Sequence, residues 1–154
     1  MARSITAVRP TTTERVSTFG NASKANAPNC QQTKGVTTLQ TFLDAYIECA
    51  LWSSTDDDGE PLDSQYGPED IAPESLQQMR DDCEAFQRDN AYLLLNAGIP
   101  PQNGHDFWLT RNGHGAGFWD RGYPEVLGRK LTDAAHAYGE SNLYVGDDGR
   151  LYIS

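Results

Sequence analysis

GHDFWLTRNGHGAGFWDRG, residues 104–122, is the densest run of aromatic, glycine and ionisable residues in the chain, and its reading decides the fold. Phe107, Trp108, Leu109 and Thr110 on one side, with Phe118 and Trp119 on the other, are strand formers flanking Gly113 and His114. Glycine in the first central position is what a type II′ turn requires, because φ is positive there. Read as a hairpin of residues 105–112 and 116–121, the segment sets Thr110 opposite Gly117, Leu109 opposite Phe118, Trp108 opposite Trp119 and Asp106 opposite Arg121. A Trp pair and an opposite-charge pair then share one face, and both are favourable cross-strand combinations.

Downstream, Leu127, Leu131, Ala134, Ala135 and Tyr138 recur at helical spacing, with Gly139 at the end. Residues 143–145 and 150–153 surround Asp147, Asp148 and Gly149, a three-residue loop with glycine where φ must be positive. That loop pairs Val145 with Leu151, Leu143 with Ile153 and Tyr144 with Tyr152.

Upstream, Leu39, Phe42, Leu43, Tyr46, Ile47, Ala50 and Leu51 mark a first helix capped by Thr37 or Thr38. Pro73 and Glu74 open a second, whose seam runs Leu76, Met79, Cys83, Phe86, Asn90 and Leu93. The seam suits the first helix, antiparallel to it, or a partner chain, with Asn90 as a polar residue that fixes register. Residues 98–104, with Pro100 and Pro101, end that helix. The order helix, helix, hairpin, helix, hairpin predicts an α+β domain over residues 36–154: an antiparallel sheet of about four strands with two long helices and one short one. Helices cover one sheet face, and the other is left as a partner surface. Residues 1–35 are rich in Ser, Thr, Asn and Ala, lack periodicity, and are expected to form a disordered basic arm.

Charge is distributed unevenly. Five basic residues stand against one acid in the arm, whereas residues 36–95 hold fourteen acids and only Arg80 and Arg88. Such a field repels nucleic acid and membrane surfaces and attracts basic partners, unless the acids merely solvate exposed helix faces. The three cysteines, Cys30, Cys49 and Cys83, have no metal-like spacing and are expected to be free thiols in a reducing compartment. No apolar stretch is long enough to span a bilayer.

The segment 104–122, the early Leu39–Gln40–x–Phe42 helix and the closing LYVGDDGRLYI of residues 143–153 resemble a family of small acidic bacteriophage proteins without an established activity. The resemblance covers residues 36–154. It implies a protein that blocks host machinery, such as a restriction or CRISPR nuclease, in the host cytoplasm.

Chemistry in the segment rests on His105, Asp106, His114 and Asp120, which together offer metal ligands and acid–base groups. The hairpin register keeps them apart, with His114 at the turn and Asp106 facing Arg121, so neither metal nor cofactor is expected. Gly113, Gly115 and Gly117 join two strands rather than opening a helix, unlike a phosphate loop. Asp56-Asp-Asp-Gly-Glu60 fails the EF-hand spacing. The expected contact set is therefore aromatic and acidic: Trp108, Trp119, Tyr144 and Tyr152 as anchors, with Asp56, Asp57, Asp58, Asp81, Asp82 and Glu84 as steering charges toward a host protein with a basic surface. Two other classes stay open: a small hydrolase or nucleotide-modifying enzyme using the hairpin histidines and aspartates, and a self-associating homodimer.

Overall fold

The computed structural model describes residues 30–154, with side chains from Thr38 onward except that of Pro100. The arm reading falls largely outside these residues. Five helices follow in order: α1 (Cys30–Ser53), α2 (Pro73–Asp89), α3 (Ala91–Ala97), α4 (Pro100–Arg111) and α5 (Glu125–His136). Two short strands, β1 (Leu143–Val145) and β2 (Leu151–Ile153), close the described chain.

The fold is therefore mostly helical with a single two-stranded antiparallel sheet among the described residues, and the four-stranded α+β reading is corrected. The error lies in residues 104–122. Pro100 and Pro101 open α4 rather than separating two halves: proline suits a first helical turn, and Ile99 before it is extended (φ −72°, ψ 123°). The helix ends at Gly113 (φ +63°), where the Gly113 amide donates to the Thr110 carbonyl and the His114 amide to that of Leu109. Those two bonds form a Schellman cap. A Schellman cap and a type II′ turn both demand a glycine with positive φ, so Gly113 is compatible with either. Residues 106 to 111 are all buried, because other elements surround α4. A helix buried all round shows no apolar stripe, and its run of aromatics imitates a strand.

Phe107 of α4 is the centre of the core. Its ring stacks on Phe86 of α2 at 4.0 Å and lies 5.3 Å from Tyr46 of α1. Tyr138, just beyond α5, meets it edge-on at 5.2 Å. Trp108 turns toward α1, edge-on to Tyr46 at 5.1 Å, and its indole N–H donates to Ser53 Oγ at 2.8 Å. The α2 seam is spent inside the molecule, since Met79, Cys83 and Phe86 are wholly buried. At Asn90 the second helix breaks into α2 and α3; the Asn90 side chain donates to the Phe86 carbonyl at 3.0 Å, capping the end it creates.

Arg111 joins four elements. Its guanidinium donates to Tyr46 Oη (2.7 Å) on α1, Asp82 Oδ2 (2.8 Å) on α2, and the carbonyls of Gly139 (2.9 Å) and Tyr138 (3.1 Å) past α5. Burial above all holds the Tyr46 phenol neutral, well above its usual range, with Arg111 opposing the shift.

The closing hairpin has the expected register: Leu143 opposite Ile153, Tyr144 opposite Tyr152, Val145 opposite Leu151. Gly149 takes φ +77° in its loop. The hairpin docks on the start of α2, the Ala72 amide donating to the Leu151 carbonyl and the Ile153 amide to Ser75 Oγ.

Candidate functional site

The turn after α1 is built by Asp56. Its carboxylate accepts from the amides of Asp58 (3.0 Å) and Glu60 (2.9 Å) and from Gln65 Nε2 (3.2 Å), so the run of acids is a tight turn. Gly59 at φ +85° lets the chain reverse, and Thr55 bridges Pro61. Asp56 is thereby committed to the turn, while Asp57 and Asp58 are exposed.

The turn faces the closing hairpin. Thr55, Asp56, Asp57, Asp58, Tyr66, Tyr144 and Val145 line a groove of about 290 Å³. Tyr144 and Val145 continue into a second groove of about 400 Å³ with Gly146, Asp147, Asp148 and Tyr152. Tyr144 is 47% exposed, and its ring lies 6.0 Å from that of Tyr152. The Tyr152 hydroxyl donates to Asp148 Oδ2 at 3.0 Å, and the Arg150 amide donates to Asp148 Oδ1 at 3.1 Å. The Arg150 amide first, and the Tyr152 hydroxyl after it, hold the Asp148 carboxyl below its usual range. Asp57, Asp58, Asp147 and Asp148 thus present negative charge around two phenol rings, with Arg150 as the basic residue in the same turn.

The other expected anchors lie elsewhere. Trp108 is 1% exposed and belongs to the core, so it is corrected from contact residue to packing residue. Trp119 is 46% exposed but sits in the short 3₁₀ turn Phe118–Asp120, its Cα beside Gly128 of α5. The Trp108–Trp119 pair of the hairpin reading is not formed. On α2, Asp81 and Glu84 are exposed, whereas the Asp82 side chain is 17% exposed and bound to Arg111, which withdraws it from steering. Tyr66, Asp147 and Asp148 also belong to this face: Tyr66 reaches it from a distant part of the chain, whereas Asp147 and Asp148 lie in the hairpin loop between Tyr144 and Tyr152.

The Asp106–Arg121 pair does form, at 2.6 Å, although on a helix and a following turn instead of a ribbon. Asp106 is fully buried and also accepts from Gln102 at 3.0 Å, one helical turn away. His105 Nε2 lies 3.6 Å from Glu48 Oε2, while His114 lies beyond the end of α4 in a cleft with Ser53, Trp108 and Glu140. The 105–121 hairpin on which the alternative enzyme reading drew is absent, and among the described residues no group of three or more His, Cys, Asp or Glu side chains is arranged to hold a metal ion. No described helix is long and apolar enough to cross a membrane.

Cys49 and Cys83 are free and buried. Burial first, then the Asp106 carboxylate, pushes the Cys49 thiol up to about 12, and burial likewise raises Cys83 well above its usual value. Both thiols are expected to be alkylated at pH 8 at least about 100-fold more slowly in the folded protein than in denaturant, read peptide by peptide by mass spectrometry. Because the folded-state values are raised, unfolding releases protons once the pH passes the ordinary thiol value of 9.0. Stability is therefore expected to fall from pH 9 towards 12, and a flat profile there would contradict the assignment.

Comparison of the chain with family models, curated proteins and solved structures gives no match.

Proposed function

We propose that this chain is a non-enzymatic phage accessory protein that binds a host defence or nucleic-acid-handling protein in the host cytoplasm and obstructs it, in the manner of an anti-CRISPR. The observation supporting this reading is the meeting of the acidic turn 56–58 with Tyr144 and Tyr152 across two contiguous grooves. Phenol rings attract guanidinium and ammonium groups through their faces, and carboxylates around them pair with the same cations. Such a face fits an Arg- or Lys-rich surface, including one that otherwise holds nucleic acid. A net charge of −10 steers that encounter over distances longer than contact.

The test is a pull-down from host lysate with the intact chain and with a folded variant carrying Asp57→Lys, Asp58→Lys and Tyr144→Ala. A stoichiometric basic partner held by the first and lost by the second is the expected result. With that partner purified, charge reversal alone is expected to slow association by about 10-fold or more at low salt and to flatten its salt dependence. Unchanged association kinetics, or no partner at any ionic strength, would sink the proposal.

A further inference from the structure

The cleft that holds His114 measures about 310 Å³ and is walled by three segments distant in sequence. Residues 53–55 come from the end of α1, Trp108, Asn112 and His114 from the end of α4, and residues 140–143 from the approach to β1. Part of this polar wall is spent on the fold. Ser53 Oγ accepts from the Trp108 indole and donates to the Cys49 carbonyl, while the Asn112 carboxamide accepts from the Ser141 amide and donates to the Trp108 carbonyl. The rest is not spent: among the described residues, the side chains of Ser54, His114, Glu140, Ser141 and Asn142 have no hydrogen-bond or ion-pair partner. Ser141 carries the most weight. The residue is 5% exposed, and a buried hydroxyl is ordinarily hydrogen-bonded, so an unpartnered one on a cleft wall points to a group that enters from outside.

The charge of the wall selects that group. No Lys or Arg lines the cleft, the Arg111 guanidinium being turned inward to Tyr46 and Asp82, whereas Glu140 supplies a carboxylate. Both α1 and α4 end at the cleft, and a helix C-terminus acts as a charge of about −0.5. An anion is therefore disfavoured, and an apolar group would leave hydroxyls buried without partners. A cation that donates hydrogen bonds suits the whole wall, because carboxylate, hydroxyl, carboxamide and neutral imidazole all accept. We infer that the cleft binds a primary alkylammonium group, carried by a small free amine or by a lysine side chain. The acceptors come singly from separate segments, which suits the three rotatable donors of an ammonium; a guanidinium fork is better matched by paired, planar acceptors. This site goes beyond the reading of the acidic and phenolic face and does not rest on it. Thr55 lines both this cleft and the groove of residues 56–58, so a lysine seated here would also anchor a basic partner on that face.

The test is titration of the full chain with butylammonium chloride, read by amide NMR at constant ionic strength and about pH 8, where an alkylammonium is charged. Saturable shifts are expected at Ser54, His114 and residues 140–142, with a Kd on the order of millimolar, as befits one small group. Butan-1-ol, the uncharged analogue, is expected to bind at least about 10-fold more weakly, and butylguanidinium at least about 3-fold more weakly. Glu140→Gln is expected to weaken butylammonium by about 10-fold and Ser141→Ala by about 3-fold. Both variants should keep the wild-type urea midpoint, since neither side chain has a partner in the fold. N-acetyl-lysine amide binding more tightly than butylammonium would support the site with a protein lysine as the source, and weaker binding would support it with a free amine. Equal binding of butan-1-ol, a Kd unmoved by Glu140→Gln, or shifts that spread over the acids of α2 without saturating would overturn the inference. No partner protein enters the titration, so its failure and that of the pull-down are told apart.

Discussion

Arg111→Met is expected to lower the free energy of unfolding by about 3–5 kcal/mol, the cost of removing one partner from a buried ion pair. The guanidinium holds Asp82, the Tyr46 hydroxyl and the two carbonyls past α5, and it lies over the rings of Phe107 (5.6 Å) and Tyr138 (5.9 Å). Methionine can refill part of the volume but donates nothing. Four acceptors then lose their donor, one of them a carboxylate with 17% of its side chain exposed. Ordinary domains are stable by only about 5–15 kcal/mol, so this single change is enough to threaten the fold. Arg111→Lys keeps the charge but cannot fork toward α1, α2 and the α5 end together, and it is expected to recover less than half of the loss. Asp82→Asn in the Met background should return part of the stability by removing the unpaired charge, and urea unfolding of the four-member cycle reads the coupling directly. A coupling below about 0.5 kcal/mol would show that Arg111 acts through packing alone.

Gly104→Ala is expected to destabilise by about 2 kcal/mol, against what helix propensity predicts. Within a helix interior alanine is favoured over glycine by about 1 kcal/mol, so a purely local argument calls the change stabilising. Here α4 crosses α1, and a Cβ on residue 104 would collide with the Phe42 carbonyl oxygen while lying 3.0 Å from Ala45 Cβ and 3.1 Å from the Tyr46 amide nitrogen. The obstacle is helical backbone, which relieves the contact only if the two helices separate. Overpacking of that kind costs about 1–3 kcal/mol or more, which exceeds the propensity gain. Gly104→Leu should prevent folding. Gly115→Ala is the control, since nothing lies within 4 Å of its Cβ position, and it should leave the urea midpoint unchanged. Equal midpoints for both alanine variants would mean that α1 and α4 cross more loosely than the structure has them.

The two sites illustrate what was legible in the chain. Arg111 carries no sequence mark of its role, because Tyr46, Asp82 and Gly139 lie far from it in number and meet only in three dimensions. Gly104 reads as punctuation beside Pro100 and Pro101, yet it is the residue that lets two helices touch. The acidic and phenolic face was half legible: Asp57, Asp58, Tyr144 and Tyr152 were selected by charge and cross-strand position, Asp147 and Asp148 follow from the hairpin loop that joins the two tyrosine strands, and only Tyr66 joined them through tertiary placement.

By itself the sequence determined the elements whose burial is one-sided. The stripe of Leu39 to Leu51 specifies the second half of α1, which begins at Cys30 and not at the expected Thr37 or Thr38 cap; that of Leu127 to Tyr138 specifies α5, and the glycine at position 149 with alternating Leu and Tyr specifies the closing hairpin down to its register. It also located the acids and the Asp106–Arg121 attraction. Only the tertiary structure decided that residues 100–111 are a helix, because periodicity reports a boundary between core and water. Where α1, α2 and the α5 end enclose residues 106–111 of α4, that boundary is gone, and a buried helix and a buried strand present the same string of apolar residues.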